Sequence, residues 1–356
     1  MTVDLAAFRE QITRPDETSA EAAGARQLAL TKPPGSLGRL EELGAWLCSV
    51  QGACPPRPLD RARVIVFAGD HGVAAQGVSA FPPEVTAQMV RNFLAGGAAV
   101  NALASTVGAS VRVLDLAVDA DLDDVPDDVT RWKVRRGSDD ITAGPAMTAE
   151  QTEQAFLAGV AVADEEIDSG ADVLLTGDMG IANTTPAAAL TALLTGNDAG
   201  QVTGRGTGVD DTAWMRKTAA VRDAMRRSRP HLEDPLALLR WCSGADFAAM
   251  TGFLLQAAAR RTPVILDGVV SGASALVAHR IAFRSALWWQ AGHLSVEPAH
   301  AFALHKIGLT PLLEYQLRLG EGTGAVLALP VLRAAQAVLA DMATFDEAGV
   351  SDQGTE

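Results

Sequence analysis

One carboxylate, Glu321, stands between glycines in the stretch Arg318-Leu319-Gly320-Glu321-Gly322-Thr323-Gly324-Ala325. Glycine on both sides allows positive φ and a close backbone approach to a ligand. A carboxylate presented that way reads as part of an active-site loop. The same residues also read as a turn that opens a helix, with Thr323 as N-cap and Glu321 merely favoured by the helix dipole. Local sequence leaves both readings open. A second constellation is Gly177-Asp178-Met179-Gly180-Ile181-Ala182-Asn183-Thr184-Thr185. A strand that passes through a glycine turn into a helix aims backbone N–H groups at an anion, with Thr184 and Thr185 as caps or phosphate ligands. A third is Gly204-Arg205-Gly206-Thr207-Gly208-Val209-Asp210-Asp211, followed by Lys217 on the next helix. It is neither a Walker A loop nor a dinucleotide fingerprint behind a first strand. A glycine loop with one lysine suits a single phosphate, and Lys217 also reads as a surface helix lysine.

The six histidines, His71, His231, His279, His293, His300 and His305, show no paired-ligand spacing, so no metal site is expected. His71 and His293 fall in turns after strands, where each could line a site or be a buried structural histidine. Asp70 and Asp267 end strands in the same manner and could cap helices. Asp119, Asp121 and Asp123 imitate the start of a calcium loop, but Asp124 and Thr130 replace the required Gly and Glu. No Gly-x-Ser-x-Gly elbow occurs.

The elements that must hold these turns follow from apolar runs. Buried-type strands are expected at Arg63–Ala68, Ser110–Leu116, Ala171–Thr176, Pro263–Leu266 and Ser285–Trp289. Helices are expected over Pro83–Thr106, from the capping box Thr148-Ala149-Glu150-Gln151 to about Ser169, and over Pro186–Leu194, Asp211–Arg226, Pro235–Arg260 and Gly272–Ile281. A last helix runs from Ala325 to about Met342, with Pro330 inside it. Strands alternating with helices imply an α/β fold, a mostly parallel sheet with helices on both faces. Four strands run into glycine-containing turns, after Ala68, Thr176, Leu266 and Trp289, which places the chemistry along the carboxyl edge of the sheet. Residues 1–60 read as a small helical cap, 61–342 as the α/β catalytic domain and 343–356 as a flexible acidic tail.

Composition narrows the function. The 356 residues carry a formal net charge of −14, which argues against a nucleic-acid partner. A phosphorylated small molecule stays open, since it needs only a local nest of N–H groups. Cys48, Cys54 and Cys242 form no metal or redox motif, so reduced thiols and a cytoplasmic location are expected. No uninterrupted apolar stretch of 18 residues suggests a membrane span.

Seven segments in order carry a family resemblance: Lys32-Pro33-Pro34-Gly35-Ser36-Leu37-Gly38, Gly69-Asp70-His71-Gly72, Gly177 to Thr185, Gly206-Thr207-Gly208, Asp267-Gly268, Gly292-His293-Leu294-Ser295-Val296-Glu297 and Arg318 to Ala325. Together the chain resembles, from about residue 15 to 342, the nicotinate-nucleotide–dimethylbenzimidazole phosphoribosyltransferase family. The resemblance implies a Rossmann-like sheet with a small second domain and a homodimer. It also implies transfer of ribose phosphate from nicotinate mononucleotide to 5,6-dimethylbenzimidazole, with inversion at the anomeric carbon and no cofactor. By the same resemblance Glu321 is the general base, assisted by Asp178, where the family often has Glu. Gly180, Lys217, Gly268 and Ser295 surround the phosphate and ribose, with Thr184, Gly206, Thr207 and Gly208 nearby. Ser79, Phe81, Gln88, Met179 and Leu319 surround the base, Phe81 standing where Tyr is frequent. The alternatives are an enzyme of this fold acting on another benzimidazole, a purine or a phenol, and a non-catalytic nucleotide-binding protein.

Overall fold

A computed structural model describes residues 3–351. Six parallel strands form one sheet, β1 (Ala62–Gly69), β2 (Ser110–Ala117), β3 (Val173–Met179), β4 (Val264–Leu266), β5 (Trp289–His293) and β6 (Pro311–Leu313), in the order β2-β1-β3-β4-β5-β6. Successive side chains of a strand point to opposite faces, and here both faces are covered. In β1, Ile65 and Phe67 join one core with Phe156 and Phe253, whereas Val64, Val66 and Ala68 join another with Ala325 and Leu329. That double burial explains why the strand reads as an unbroken apolar run.

The order of strands reverses between β1 and β3, which pair in register from Ala62↔Val173 to Ala68↔Met179. Open α/β sheets bind ligands at such a switch point, beyond the carboxyl ends of the strands. Asp178, near the end of β3, therefore stands where this topology leaves a crevice.

Several expected elements differ at their breaks. The helix expected over Pro83–Thr106 is two helices, Val85–Leu94 and Ala99–Thr106, separated around Gly96 and Gly97. The expected Pro235–Arg260 helix is likewise split into Pro235–Cys242 and Ala245–Ala259. At the second break, a Cβ on Gly244 would lie 2.5 Å from Asp246 Oδ1 and 2.7 Å from His71 Cε1, so close packing favours glycine there. Residues Phe283–Trp288 form a 3-10 turn and β5 begins at Trp289, where a strand was expected to end. Sequence analysis did not foresee β6, a strand of only three residues.

The helices Leu5–Gln11, Glu17–Ala29 and Arg39–Gln51 form the N-terminal segment. It packs on the body: Phe8 meets Phe156 edge-on, Trp288 Nε1 donates to Thr13 O, and Arg26 Nε donates to Leu339 O. At the other end, Thr344 bridges Leu30 and caps a short turn at Phe345–Ala348, so the start of the expected tail is tied down. The helix Thr323–Asp341 is long and apolar enough to cross a membrane, but more than half of it is buried in the core.

Candidate active site

The crevice at the switch point is a cleft of about 610 Å³. Its walls include Ser79, Phe81, Asp178, Met179, Gly180, Thr184, Gly206, Thr207, Gly268, Ser295, Leu319 and Glu321, so most of the residues singled out from sequence share one cavity. Gly208 belongs to the same glycine loop without lining the cleft. Gln88 is not among the residues that line it. Phe81 lies before Pro82-Pro83 and the helix begins only at Val85, so the seven-residue spacing between Phe81 and Gln88 is not a helical one. Gln88 is exposed, and from the same helix Val85 and Met89 line the cleft.

Glu321 adopts φ of 63°, and Gly320 and Gly322 on either side have φ of 85° and 93°. Three successive left-handed residues make a tight turn that a Cβ-bearing chain resists. The turn is fixed because Glu321 N donates to Asp178 O at 3.1 Å. The Glu321 carboxylate is buried, and its Oε2 accepts from Val100 N at 3.3 Å. Val100 is the second residue of the helix Ala99–Thr106, so the break at Gly96 and Gly97 is what presents this helix end to the site. Burial pushes the Glu321 carboxyl above its ordinary range; the Val100 N–H pulls it down by less, and Asp267 adds to the rise.

The helix Thr323–Asp341 is not capped by Thr323, as expected, but by a residue distant in sequence. Thr323 is its first helical residue and donates its hydroxyl to Gly320 O at 2.8 Å. Asp267 supplies the cap, its Oδ1 accepting from Gly324 N at 2.7 Å and Ala325 N at 3.1 Å.

Asp178 is buried beside this turn, with Oδ2 accepting from Asn183 Nδ2 at 2.8 Å. Burial drives its carboxyl well above the usual range, with Asp267, Asp246 and Glu321 adding repulsion and Asn183 opposing. Carboxyls crowded in a dry pocket resist ionising together, and the first proton goes to the one whose charge is least well solvated.

One end of the cleft is built around Gly206. Lys217 is fully buried, and its Nζ donates to Thr184 Oγ1 at 2.7 Å. Lys217 does not itself line the cleft and meets it through Thr184. Gly206 has φ of 51°, which favours glycine, and a Cβ there would lie 2.7 Å from Lys217 Nζ and 2.9 Å from Thr184 Oγ1. Burial lowers the Lys217 ammonium from its ordinary value, against the pull of Glu297. Gly206 N donates to Glu297 Oε1 at 2.8 Å, and Arg318 Nη1 donates to Gly206 O at 2.6 Å. Thr207 Oγ1 accepts from Ala80 N at 2.9 Å, which joins the glycine loop to the Ser79–Phe81 wall. Glu297 and Arg318 were not singled out from sequence as site residues; their signal was present only as positions inside motifs quoted for other residues.

Of the two turn histidines, His293 lines the cleft, whereas His71 pairs with Asp246 at 3.1 Å behind Gly180. His300 holds Ser295 in place, its Nδ1 accepting from Ser295 N at 3.0 Å. Burial drives His300 down to about 3, so it is neutral, with its proton on Nε2. Between pH 6.5 and 3 the unfolded chain binds a proton here that the folded chain does not, and stability falls as pH falls through that window. The acid-side decline of Tm is expected to be shallower in His300→Gln than in the parent; equal slopes in thermal melts from pH 7 to pH 4 would remove His300 as a contributor.

Comparison with known proteins fits this geometry. A phosphoribosyltransferase family model matches residues 12–350. The nicotinate-nucleotide–dimethylbenzimidazole phosphoribosyltransferase of Mycolicibacterium paratuberculosis is 62% identical over 342 residues, covering 96% of this chain and 97% of the relative. The protein of the same name from Mycobacterium tuberculosis is 58% identical over 345 residues, 97% of this chain and 95% of that one. A crystal structure of the Thermus thermophilus phosphoribosyltransferase of this name superposes with a TM-score of 0.89 at 46% identity, covering 95% of this chain and 99% of the other. A chain matched almost end to end by these relatives belongs to this phosphoribosyltransferase family.

Proposed function

We propose that the protein moves ribose 5-phosphate from nicotinate mononucleotide to 5,6-dimethylbenzimidazole, yielding α-ribazole 5′-phosphate and nicotinate for cobalamin nucleotide-loop assembly. The observation that carries this reading is the division of one cleft. An apolar wall of Phe81, Val85, Met89, Met179 and Leu319 lies with the buried base Glu321, and the Lys217–Thr184 pair lies with the glycine loop. A flat apolar base needs the first, and a phosphate dianion needs the second.

The chemistry follows from these positions. A ring nitrogen of the benzimidazole attacks C1′ of the ribose from the face opposite nicotinate. The glycosidic bond breaks with its electron pair passing to the pyridinium ring, which leaves as neutral-ring nicotinate, and the anomeric carbon inverts. The other ring nitrogen becomes acidic as the bond forms, and Glu321 takes its proton. Asp178, driven further up by burial and its neighbours, holds a proton first and leaves Glu321 the charged member of the pair. Gly180, Gly206, Thr207, Gly208, Gly268 and Ser295 complete the phosphate and ribose contacts. Ser79 sits at the base end. No metal or organic cofactor enters these steps. The reading includes a homodimer working in the cytoplasm, as the family resemblance implies.

The test is a panel assay. Purified protein given nicotinate mononucleotide is expected to release one nicotinate per dimethylbenzimidazole consumed, and to prefer that base over purines and phenols. A preference for another base would move the acceptor; release with none of them would reduce the protein to a nucleotide-binding module.

A further inference from the structure

Asp267 ends β4 with no solvent exposure, and both carboxylate oxygens are spent on the turn that carries Glu321. Oδ2 accepts from Gly322 N at 3.1 Å, the residue directly after Glu321. Oδ1 accepts from Gly324 N at 2.7 Å and Ala325 N at 3.1 Å. The backbone of Asp267 is itself pinned, since its N–H donates to Thr176 Oγ1 at 3.3 Å, and Thr176 Oγ1 donates to Ser271 Oγ at 2.9 Å. No Lys or Arg lies within ion-pair distance of this carboxylate among the described residues; its one such neighbour is His293 Nε2 at 3.5 Å. A plain helix cap could be Ser, Thr or Asn. Here three backbone N–H groups of one turn share both carboxylate oxygens, which ties that turn more firmly than a cap with a single acceptor would.

We infer that Asp267 is the positioning residue of the general base, anchoring the turn that aims Glu321 and placing its carboxylate beside that base. This rests on the reading of Glu321 as the base. The two roles use the same atoms. Through Gly322, Asp267 holds the left-handed turn in which Glu321 lies. Through its charge, it opposes ionisation of both Glu321 and Asp178, for each of which it is a source of the rise. The charged and titratable groups around that pair come from every packed element. They are Asp267 from the end of β4, Asp246 with its partner His71, His293 from β5, and the N-terminus of the helix Ala99–Thr106 through Val100 N–H. Asp267 is the one among them that also binds the turn itself.

The test separates charge from shape through the pH profile of kcat/KM for the benzimidazole at saturating mononucleotide. The acid limb of that profile marks protonation of the base, shared with Asp178 as a coupled pair. Removing a neighbouring negative charge lowers the base's proton affinity, so the limb moves to lower pH. In Asp267→Asn and in Asp267→Ser, each of which keeps one oxygen able to accept, the limb is expected to fall by about one pH unit. In Asp267→Glu, which keeps the charge but misplaces it, the rate is expected to fall with the limb near its original position. Thermal melts identify any variant that is unfolded, and the remaining neutral variant then carries the comparison. A rate loss that leaves the limb unmoved in the folded neutral variants would reduce Asp267 to a structural cap and overturn the inference. Full activity in Glu321→Gln would instead remove the underlying assignment of the base, so the two failures are distinguishable.

Discussion

Glu321→Gln is expected to lower kcat by about 10²- to 10⁴-fold, the contribution of a placed general base, while binding of the mononucleotide stays nearly unchanged. The amide has the shape of the carboxylate, and its oxygen can still accept from Val100 N, as Glu321 Oε2 does at 3.3 Å. The left-handed turn is also kept, because it depends on the backbone bonds to Asp178 and Asp267 and not on the side chain. What the substitution removes is the capacity to accept the proton as the acceptor nitrogen attacks. An interaction made only in the transition state appears in kcat and not in ground-state binding. The measurement is nicotinate release under saturation, paired with calorimetric titration of the mononucleotide. Undiminished turnover would end the assignment. In the parent enzyme, activity is expected to decline as pH falls through the raised Glu321 value, because the base is then already protonated.

How much of this was legible beforehand depended on whether a feature is local. β1 and β3 are buried on both faces, so their apolar runs announce them, and the glycine turns that end them lie in fixed order along the chain. The sheet edge and most of the cleft walls follow from that order. Three features depend on distant partners and were not readable. Asp267 caps a helix that starts more than fifty residues later, and no local signal distinguishes it from Asp70. The interruption at Gly96 and Gly97 looks like two tolerated glycines within a helix, and its purpose appears only once Val100 is seen against Glu321. Gln88 was placed by the family resemblance alone; no helical face joins it to Phe81, because Pro82 and Pro83 keep Phe81 outside the helix. The helix dipole that bears on Glu321 is also not that of the helix it precedes. The pull comes from Ala99–Thr106, and burial outweighs it.

Lys217→Ala is expected to weaken mononucleotide binding by about 10- to 100-fold, the loss of one hydrogen bond between charged groups in a dry site. Lys217 is buried with its ammonium on Thr184 Oγ1 at 2.7 Å and no carboxylate within ion-pair distance among the described residues. A buried ammonium without such a partner is costly, and burial already lowers its proton affinity. A bound phosphate would reverse that cost, because it supplies the missing charge at the one point where Gly206 leaves room. The folded protein is therefore expected to tolerate Lys217→Ala in thermal melts without ligand, and to lose most of the stabilisation that the mononucleotide gives the parent. The corresponding nucleoside, which lacks the phosphate, should bind parent and variant alike. Equal mononucleotide affinity in the two proteins would take Lys217 out of the site. An equal loss for mononucleotide and nucleoside would show instead that Lys217 supports the shape of the glycine loop, with the phosphate held by the backbone N–H groups alone.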